Sequence, residues 1–263
     1  MGLPMAKNLV KAGFNVIGYD VNKSVYDKAQ AMGISMVDKL STVAAEADDA
    51  IISMVRDYQQ NVDVIFGDDG LSHANNNSSK TIIVMSTLSP RTMNELATKV
   101  KRESNFNLIS AAVSGGSTGA EAGTLSIMAS GAHELVQQAQ PYFDAMGSHT
   151  FYFGADAGSS QVAKLANNII LGINMNAVAE ALKLGQHYGL PEDEILKLLA
   201  VSTGDSWVAR NWKYLMTWDK NTGLGVLLKD LKAAHEEGMQ NKITLPFNEL
   251  SAEKLFESMK KEL

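Results

Sequence analysis

The sequence predicts an α/β protein in which a mostly parallel β-sheet covered by helices is followed by an all-α second half. In the first half, short runs of β-branched and other apolar residues alternate with segments of helical spacing, a pattern typical of a parallel sheet with helices on both faces. After about Gly158 the strand patterns stop and only helical spacing remains. We therefore expect two domains, at residues 1–157 and 158–263.

The spacing of apolar residues, together with glycines that can end helices, predicts where the individual strands and helices lie. Strands are predicted at residues 15–20, 50–55, 81–85 and 107–113. Helices are predicted at 5–12 and 25–32, each followed by a glycine that can end a helix in the left-handed conformation. The second half is predicted to contain helices at 162–188, 191–199 and 252–259. The first of these is unusually long, so its apolar face is expected to lie mostly in a core and partly in a dimer interface.

Composition excludes several classes of function. The net charge of −6 provides no basic surface for nucleic acid, and the absence of cysteine excludes disulfides and thiolate sites. The five histidines are scattered without metal-ligand spacing. No apolar run reaches transmembrane length, and the N-terminus lacks a signal-peptide pattern. We expect a cytoplasmic protein with no metal, nucleic-acid partner or membrane contact.

The segment most informative about function is rich in glycine. Residues 113–131 contain five glycines, which disfavours a helix or a central strand and predicts a loop. Such a loop can turn with positive φ and direct successive amide N–H groups at one carboxylate or phosphate. A Ser-Gly-Gly sequence alone is more often a surface turn, so the role of Ser114, Gly115 and Gly116 depends on the rest of the chain.

Five segments together resemble one family. Besides residues 113–131, they are Met1-Gly2-Leu3-Pro4-Met5-Ala6-Lys7-Asn8-Leu9, Ser86-Thr87-Leu88-Ser89-Pro90, Gly158-Ser159-Ser160-Gln161-Val162-Ala163-Lys164-Leu165-Ala166-Asn167-Asn168 and Lys229-Asp230-Leu231. These segments are similar to the motifs of the β-hydroxyacid dehydrogenase family, which includes 3-hydroxyisobutyrate, tartronate semialdehyde and threonate dehydrogenases. Two departures stand out: Ser160 replaces a family glycine, and Ser110-Ala111-Ala112 stands where many relatives have Asp-Ala-Pro.

The resemblance implies a Rossmann-like first domain and a role for each motif. Ser114, Gly115 and Gly116 would hold a substrate carboxylate. Lys164 would be the general acid/base that removes the hydroxyl proton as hydride leaves. Asn168, four residues further on and so on the same helix face, would orient the substrate with support from Asp230. The residues implied in cofactor binding are Gly2, Asp20, Val55, Arg56, Thr87 and Lys229.

Simpler interpretations exist for the charged residues when each is taken alone. An isolated lysine such as Lys164 is usually a solvated side chain, and Lys229 with Asp230 could form a salt-bridged helix surface. Asp20 follows a predicted strand, where turn aspartates are common. A carboxylate at that position can accept hydrogen bonds from an adenosine ribose and repels a 2′-phosphate. We therefore expect NAD as the cofactor, with NADP less favoured.

The beginning of the sequence lies inside the family's dinucleotide fingerprint. Gly2 corresponds to its third glycine, so the first two glycines and the strand before them are missing from the sequence given. Either the protein is naturally shortened or, as we favour, its start was assigned to an internal methionine. We expect the chain without that strand to bind NAD weakly and to be nearly inactive.

The predicted function is hydride transfer between NAD and a small hydroxy acid similar to 3-hydroxyisobutyrate, in a homodimer or homotetramer. One alternative is an enzyme of the threonate or tartronate semialdehyde type. Another is a catalytically silent or cofactor-deficient binding protein of the same fold. The Lys164-x-x-Asn167-Asn168 sequence argues against 6-phosphogluconate dehydrogenase, which has histidine before the last asparagine, and against imine reductases, which usually lack the lysine.

Overall fold

The computed structural model describes residues 1–74 and 79–260. Two compact units are present, Met1–Lys164 and Leu165–Leu263. The division falls within one long helix, Ser159–His187, which therefore contributes to both units. The domain limits expected from sequence, 1–157 and 158–263, stay a prediction.

The first unit alternates strands and helices along the chain. Its strands are β1 (Ile17–Gly18), β2 (Ser35–Met36), β3 (Ala50–Ser53), β4 (Thr81–Val84), β5 (Asn107–Ser114), β6 (Leu125–Ser130) and β7 (Gly147–Tyr152). Its helices are α1 (Gly2–Lys11), α2 (Tyr26–Gln30), α3 (Leu40–Glu46), α4 (Tyr58–Phe66), α5 (Pro90–Glu103), α6 (Gly116–Ala122), α7 (His133–Gln138), α8 (Gln140–Met146) and the start of α9 (Ser159–His187).

The strands form two sheets that are mostly parallel. β1 pairs with β2, and the other five strands follow the order β3-β4-β5-β6-β7. Every pairing is parallel except that of β5 with β6, which is antiparallel. In this register Ser110 on β5 lies opposite Val84 on one side and Ser130 on the other. The mostly parallel sheet predicted from the alternating pattern is confirmed.

Successive side chains of the central strands pack in two hydrophobic cores, one on each face of the sheet. On β4, Ile83 packs in a cluster with Met5 of α1 and Phe143 of α8. Its neighbours Ile82 and Val84 pack in the opposite cluster, whose other members include Met93, Leu96 and Val100 of α5. Because strand side chains alternate between faces, a sheet covered by helices on both sides needs apolar residues at consecutive positions.

The glycine-rich segment is not the loop that its composition predicts. It contains the helix α6 and the strand β6, and the last strand of the sheet, β7, was also missed. The glycines with positive φ are concentrated at the joints: Gly115 and Gly116 at the start of α6, Gly123 at its end and Gly131 after β6. Residues 124–130 contain no glycine, so the strand interior has ordinary β-forming residues. The prediction was wrong because it counted glycines over the segment and ignored their spacing.

The second unit consists of helices, as predicted. It contains the rest of α9, α10 (Glu192–Leu199), α11 (Trp207–Arg210), α12 (Trp212–Leu215), α13 (Gly223–Gln240) and α14 (Pro246–Ser258). Its core joins Val178 and Leu182 of α9 to Leu231 of α13 and Leu255 of α14. Within the residues that the structure describes, none of the helices combines the length and apolar character needed to cross a membrane.

Candidate active site

The Ser-Gly-Gly segment forms the junction between β5 and α6. Gly115 has φ of 132° and Gly116 has φ of 63°, values that side chains other than glycine rarely adopt. A Cβ added at Gly115 would also lie 3.1 Å from Leu125 Cδ2. Amide groups in the first turn of a helix have no acceptor within that helix. The turn therefore has the backbone shape required to present N–H groups to an anion, next to the half-buried Ser114.

Lys164 lies on a buried face of α9. Its exposed fraction is 9%, and Gln161, Leu165 and Asn168 are also buried. These positions follow the i, i+3, i+4, i+7 spacing of one helix face, whereas Val162 is 55% exposed. The structure thus places Lys164 and Asn168 on the same side of the helix, as their spacing predicts.

In the second unit, Asn168 is held by polar neighbours on both ends of its amide. Its Nδ2 donates to Asp230 Oδ2 at 2.7 Å, and its Oδ1 accepts from Asn167 Nδ2 at 3.1 Å. Asp230 is almost completely buried at 1% exposure, and its Oδ1 lies 2.9 Å from Lys229 Nζ. The carboxylate of Asp230 therefore fixes the orientation of Asn168, while the half-exposed Lys229 supplies the countercharge.

Residues expected to contact a cofactor lie at the carboxyl ends of the parallel strands. Asp20 follows β1, Val55 and Arg56 follow β3, and Thr87 follows β4. In open parallel sheets, ligands bind at this edge. The Val55 backbone N–H donates to Ser86 Oγ at 3.2 Å, so the segments after β3 and β4 are bonded to each other.

Two of the residues expected to contact a cofactor, Asp20 and Gly2, fit a dinucleotide to different degrees. The exposed Asp20 carboxylate accepts a bond from Asn22 N at 2.8 Å through Oδ1, and its other oxygen suits a ribose diol. At Gly2, the first residue of α1, an added Cβ would lie 3.9 Å from Met54 Cβ, an ordinary contact. The geometry therefore supports a role for Asp20 more strongly than it requires a glycine at position 2.

Lys23, three residues after Asp20, contacts several neighbouring side chains. Its Nζ lies 2.7 Å from Tyr26 Oη and 3.0 Å from Asp38 Oδ1, and 5.0 Å from the centre of the Tyr19 ring. The hydrogen bond with Tyr26, followed by the interaction with Asp38, raises the pKa of Lys23. The ammonium group is thus charged but already paired.

A network of fully buried polar side chains was missed by sequence reasoning. Gln161 and the serines Ser110, Ser130 and Ser160 are all 0% exposed. Ser160 Oγ donates to Ser110 Oγ at 2.7 Å, and Ser160 N donates to Ser130 Oγ at 3.1 Å. The two serines on the sheet face each other across the antiparallel pairing of β5 and β6. The first turn of α9, which precedes Lys164, is therefore bonded directly to the strand that ends in the Ser-Gly-Gly turn.

The fold and these residues define a class, the two-unit oxidoreductases with a dinucleotide-binding α/β unit and a helical unit. The sequence model of the NAD binding domain of 6-phosphogluconate dehydrogenase matches residues 1–154. That of the NAD-binding region of NADP-dependent 3-hydroxyisobutyrate dehydrogenase matches residues 158–263. The chain belongs to the β-hydroxyacid dehydrogenase family.

Individual relatives agree with this assignment. The chain is 33% identical over 257 residues to 2-(hydroxymethyl)glutarate dehydrogenase of Eubacterium barkeri, covering 96% of this chain and 84% of that protein. It is 33% identical over 261 residues to NAD-dependent L-serine dehydrogenase of Pseudomonas aeruginosa, covering 95% and 86%. The structure of 3-hydroxyisobutyrate dehydrogenase from Mycobacterium tuberculosis with L-serine superposes with a TM-score of 0.81, at 27% identity, covering 96% of this chain and 88% of that one.

Proposed function

We propose that the protein oxidises a small hydroxy acid with NAD, and that Lys164 moves the hydroxyl proton. The observation that carries this proposal is the buried position of Lys164, on a helix whose first turn is bonded through Ser160 to Ser110 on β5. The same strand ends at Ser114, where the Ser-Gly-Gly turn begins. A proton-transfer group and an anion-binding turn are thus supported by one rigid framework.

The relatives narrow the class of substrate. L-serine, 3-hydroxyisobutyrate and 2-(hydroxymethyl)glutarate, which appear in their names, each carry a primary alcohol on the carbon next to the one that bears the carboxylate. A substrate of this kind needs one site for the carboxylate and one for the alcohol. The amides at Gly115 and Gly116 suit the carboxylate, and Lys164 suits the alcohol.

The chemistry assigned to the chain is proton transfer and orientation. The neutral amine of Lys164 accepts the hydroxyl proton, and in the reductive direction the ammonium returns it. The amide of Asn168, held by Asp230 and Asn167, hydrogen-bonds the substrate and fixes its alcohol carbon. Bound NAD supplies the acceptor for the hydride.

NAD is proposed in preference to NADP because of the residues around the first strand end. The exposed Asp20 carboxylate suits a ribose diol and opposes a 2′-phosphate. Lys23, the cation close to Asp20, is paired with Asp38 and Tyr26. Arg56 and Lys229 are the other two cations proposed to contact the cofactor.

A homodimer is part of the proposal. The second unit exposes several large apolar side chains, among them Ile170, Leu184, Leu198 and Phe247, and exposed apolar surface of this kind is typical of association sites. Light scattering during size-exclusion chromatography should give at least twice the mass of the chain. A monomer would contradict this part of the proposal.

The test compares Lys164→Met with Lys183→Met. Lys183 is an exposed lysine on the same helix and serves as the control. Both variants are made in a protein extended at Met1 by a strand and glycine turn that complete the family's fingerprint. Formation of NADH is followed with L-serine, 3-hydroxyisobutyrate, 2-(hydroxymethyl)glutarate and threonate, after calorimetric titration of NAD. We expect turnover of at least one of these acids, a loss of about 10²–10⁴-fold in Lys164→Met, and none in Lys183→Met. Normal turnover without Lys164 would exclude its role, and NAD binding with no turnover of any acid would favour the silent binding protein.

A further inference from the structure

The side chain of Gln161 is fully bonded inside the first unit. Its exposed fraction is 0%. Its Oε1 accepts from Leu88 N at 2.9 Å, and its Nε2 donates to Ser86 O at 3.1 Å and to Ser110 Oγ at 2.9 Å. Each of these bonds joins residues more than fifty positions apart in sequence. The loss of any one of these bonds would leave a buried polar group without a partner, which costs free energy. The contacts therefore require an amide side chain at this position.

Two of the three bonds enclose Thr87. They are made to the backbone carbonyl of Ser86 and the backbone N–H of Leu88, the residues on either side of it. In the segment between the end of β4 and the start of α5, Met85 N donates to Ser53 O at 2.9 Å, and the Ser86 carbonyl and Leu88 N–H that follow are bonded to the amide of Gln161. Thr87 itself is half-buried. The bonds therefore fix the backbone of Thr87 without using its side chain.

The same amide lies on the helix face of Lys164. Gln161 precedes Lys164 by three residues, and both are buried. Its third bond reaches Ser110, whose hydroxyl also accepts from Ser160. A single side chain thus connects the segment after β4, the strand β5 and the helix that carries the proton-transfer group.

We propose that Gln161 is a positioning residue that sets the place of the Thr87 backbone relative to the helix carrying Lys164. The inference rests on the proposed function, together with the role against the cofactor that the family resemblance implies for Thr87. Without this amide the Thr87 segment loosens, so NAD binds less tightly and hydride transfer slows. The affinity for the hydroxy acid changes little, because Ser114, Gly115 and Gly116 are held by β5 and α6.

The test uses two variants of Gln161 and a matched control. Gln161→Leu removes all three bonds, whereas Gln161→Glu keeps an acceptor for Leu88 N. The control is Lys80→Met: Lys80 is 4% exposed and donates to Ala44 O at 2.7 Å, at the opposite end of β4. Each variant removes a buried polar contact next to one end of β4. Only the end contacted by Gln161 lies at the proposed cofactor site.

Three measurements are made on each variant: hydrogen exchange at the Leu88 amide without cofactor, calorimetric affinity for NAD, and steady-state kinetics. In Gln161→Leu we expect fast exchange at Leu88, NAD affinity and kcat each lowered about tenfold, and an unchanged KM for the acid. Gln161→Glu should keep Leu88 protected and recover part of the NAD affinity. Lys80→Met should lose stability with no change in NAD affinity.

The outcomes separate this inference from the proposed function. Equal NAD affinity in Gln161→Leu and Lys80→Met would overturn the positioning role and leave Gln161 as a structural residue. Wild-type protein that binds NAD but oxidises no hydroxy acid would overturn the proposed function alone, and NAD affinity would still decide the role of Gln161. If the protein extended by the same strand and glycine turn binds no NAD, both are overturned.

Discussion

The hydroxyl of Ser160, at the start of α9, donates a 2.7 Å hydrogen bond to the hydroxyl of Ser110 in the centre of β5. Both positions are departures from the family motifs that these segments resemble, with a glycine at the first and, in many relatives, an aspartate at the second. The structure shows that the two departures are in contact.

This contact predicts energetic coupling between the two positions. Ser110→Asp places a larger, charged side chain in the space occupied by Ser160, and we expect it to be strongly destabilising. Ser110→Asp combined with Ser160→Gly should be less destabilised than the sum of the single changes, with a coupling of about 0.5–3 kcal/mol. Urea denaturation measures the cycle. Ser159→Gly, at the neighbouring helix position, is the control, and its effect should add to that of Ser110→Asp.

The turn that ends β5 predicts a separable effect on substrate binding. In Gly115→Ala, a residue with a side chain must adopt a φ of 132°, and its Cβ lies close to Leu125. In Gly154→Ala, the alanine must adopt a φ of 108°, but its Cβ has no neighbouring atom within 4 Å. Both should lose stability by about 1–3 kcal/mol from backbone strain. Only Gly115→Ala should raise the KM for the hydroxy acid, and a similar rise in Gly154→Ala would show that the effect comes from global destabilisation.

The pairing of Lys23 predicts how cofactor preference can be changed. Asp38→Asn removes the carboxylate 3.0 Å from Lys23 Nζ, so the ammonium becomes available to a 2′-phosphate. The ratio of kcat/KM for NADP to that for NAD should rise in this variant. The double variant Lys23→Met, Asp38→Asn should lack the gain. A gain that persists without Lys23 would mean that loss of the negative charge alone changes the preference.

The start of α3 predicts a pH dependence of stability. Its first residue has no cap from the preceding side chain, but Asp69 accepts from Leu40 N at 2.9 Å and Ser41 Oγ at 2.6 Å. The bond from Ser41, followed by that from Leu40, lowers the pKa of Asp69. A carboxyl whose pKa is lower in the folded state stabilises the fold above its unfolded pKa, about 3.9. Stability should therefore fall as the pH drops below about 4, and Asp69→Asn should show less of this fall in thermal melts.

Sequence periodicity predicted the strands and helices whose apolar pattern is continuous along the chain. The strands β3, β4 and β5 and the helix α9 were found within a few residues, and the spacing of Lys164 and Asn168 placed both on one helix face. The strand β6 was missed because the glycines of residues 113–131 were interpreted as a loop, and no element was predicted where β7 lies.

The polar network was missed for a different reason. Ser110, Ser160 and Gln161 are polar residues in apolar or glycine-rich surroundings, and their partners lie fifty or more residues away. Propensity and periodicity describe neighbours along the chain, and they contain no information on which buried donor meets which acceptor. One usable signal was the position of Gln161 on the same helix face as Lys164, where a polar residue needs a buried partner.

The network between α9 and the sheet also has a consequence for the order of folding. Gln161 is 75 residues from Ser86 and 51 from Ser110, so its bonds are among the contacts that close late, after the strands between them have paired. During synthesis, the segment after β4 would leave the ribosome long before the side chain that fixes it. The first unit, Met1–Lys164, becomes complete only when the start of α9 is available, and Lys164 follows Gln161 by three residues. Completion of the first unit and placement of Lys164 therefore depend on the same segment of the chain.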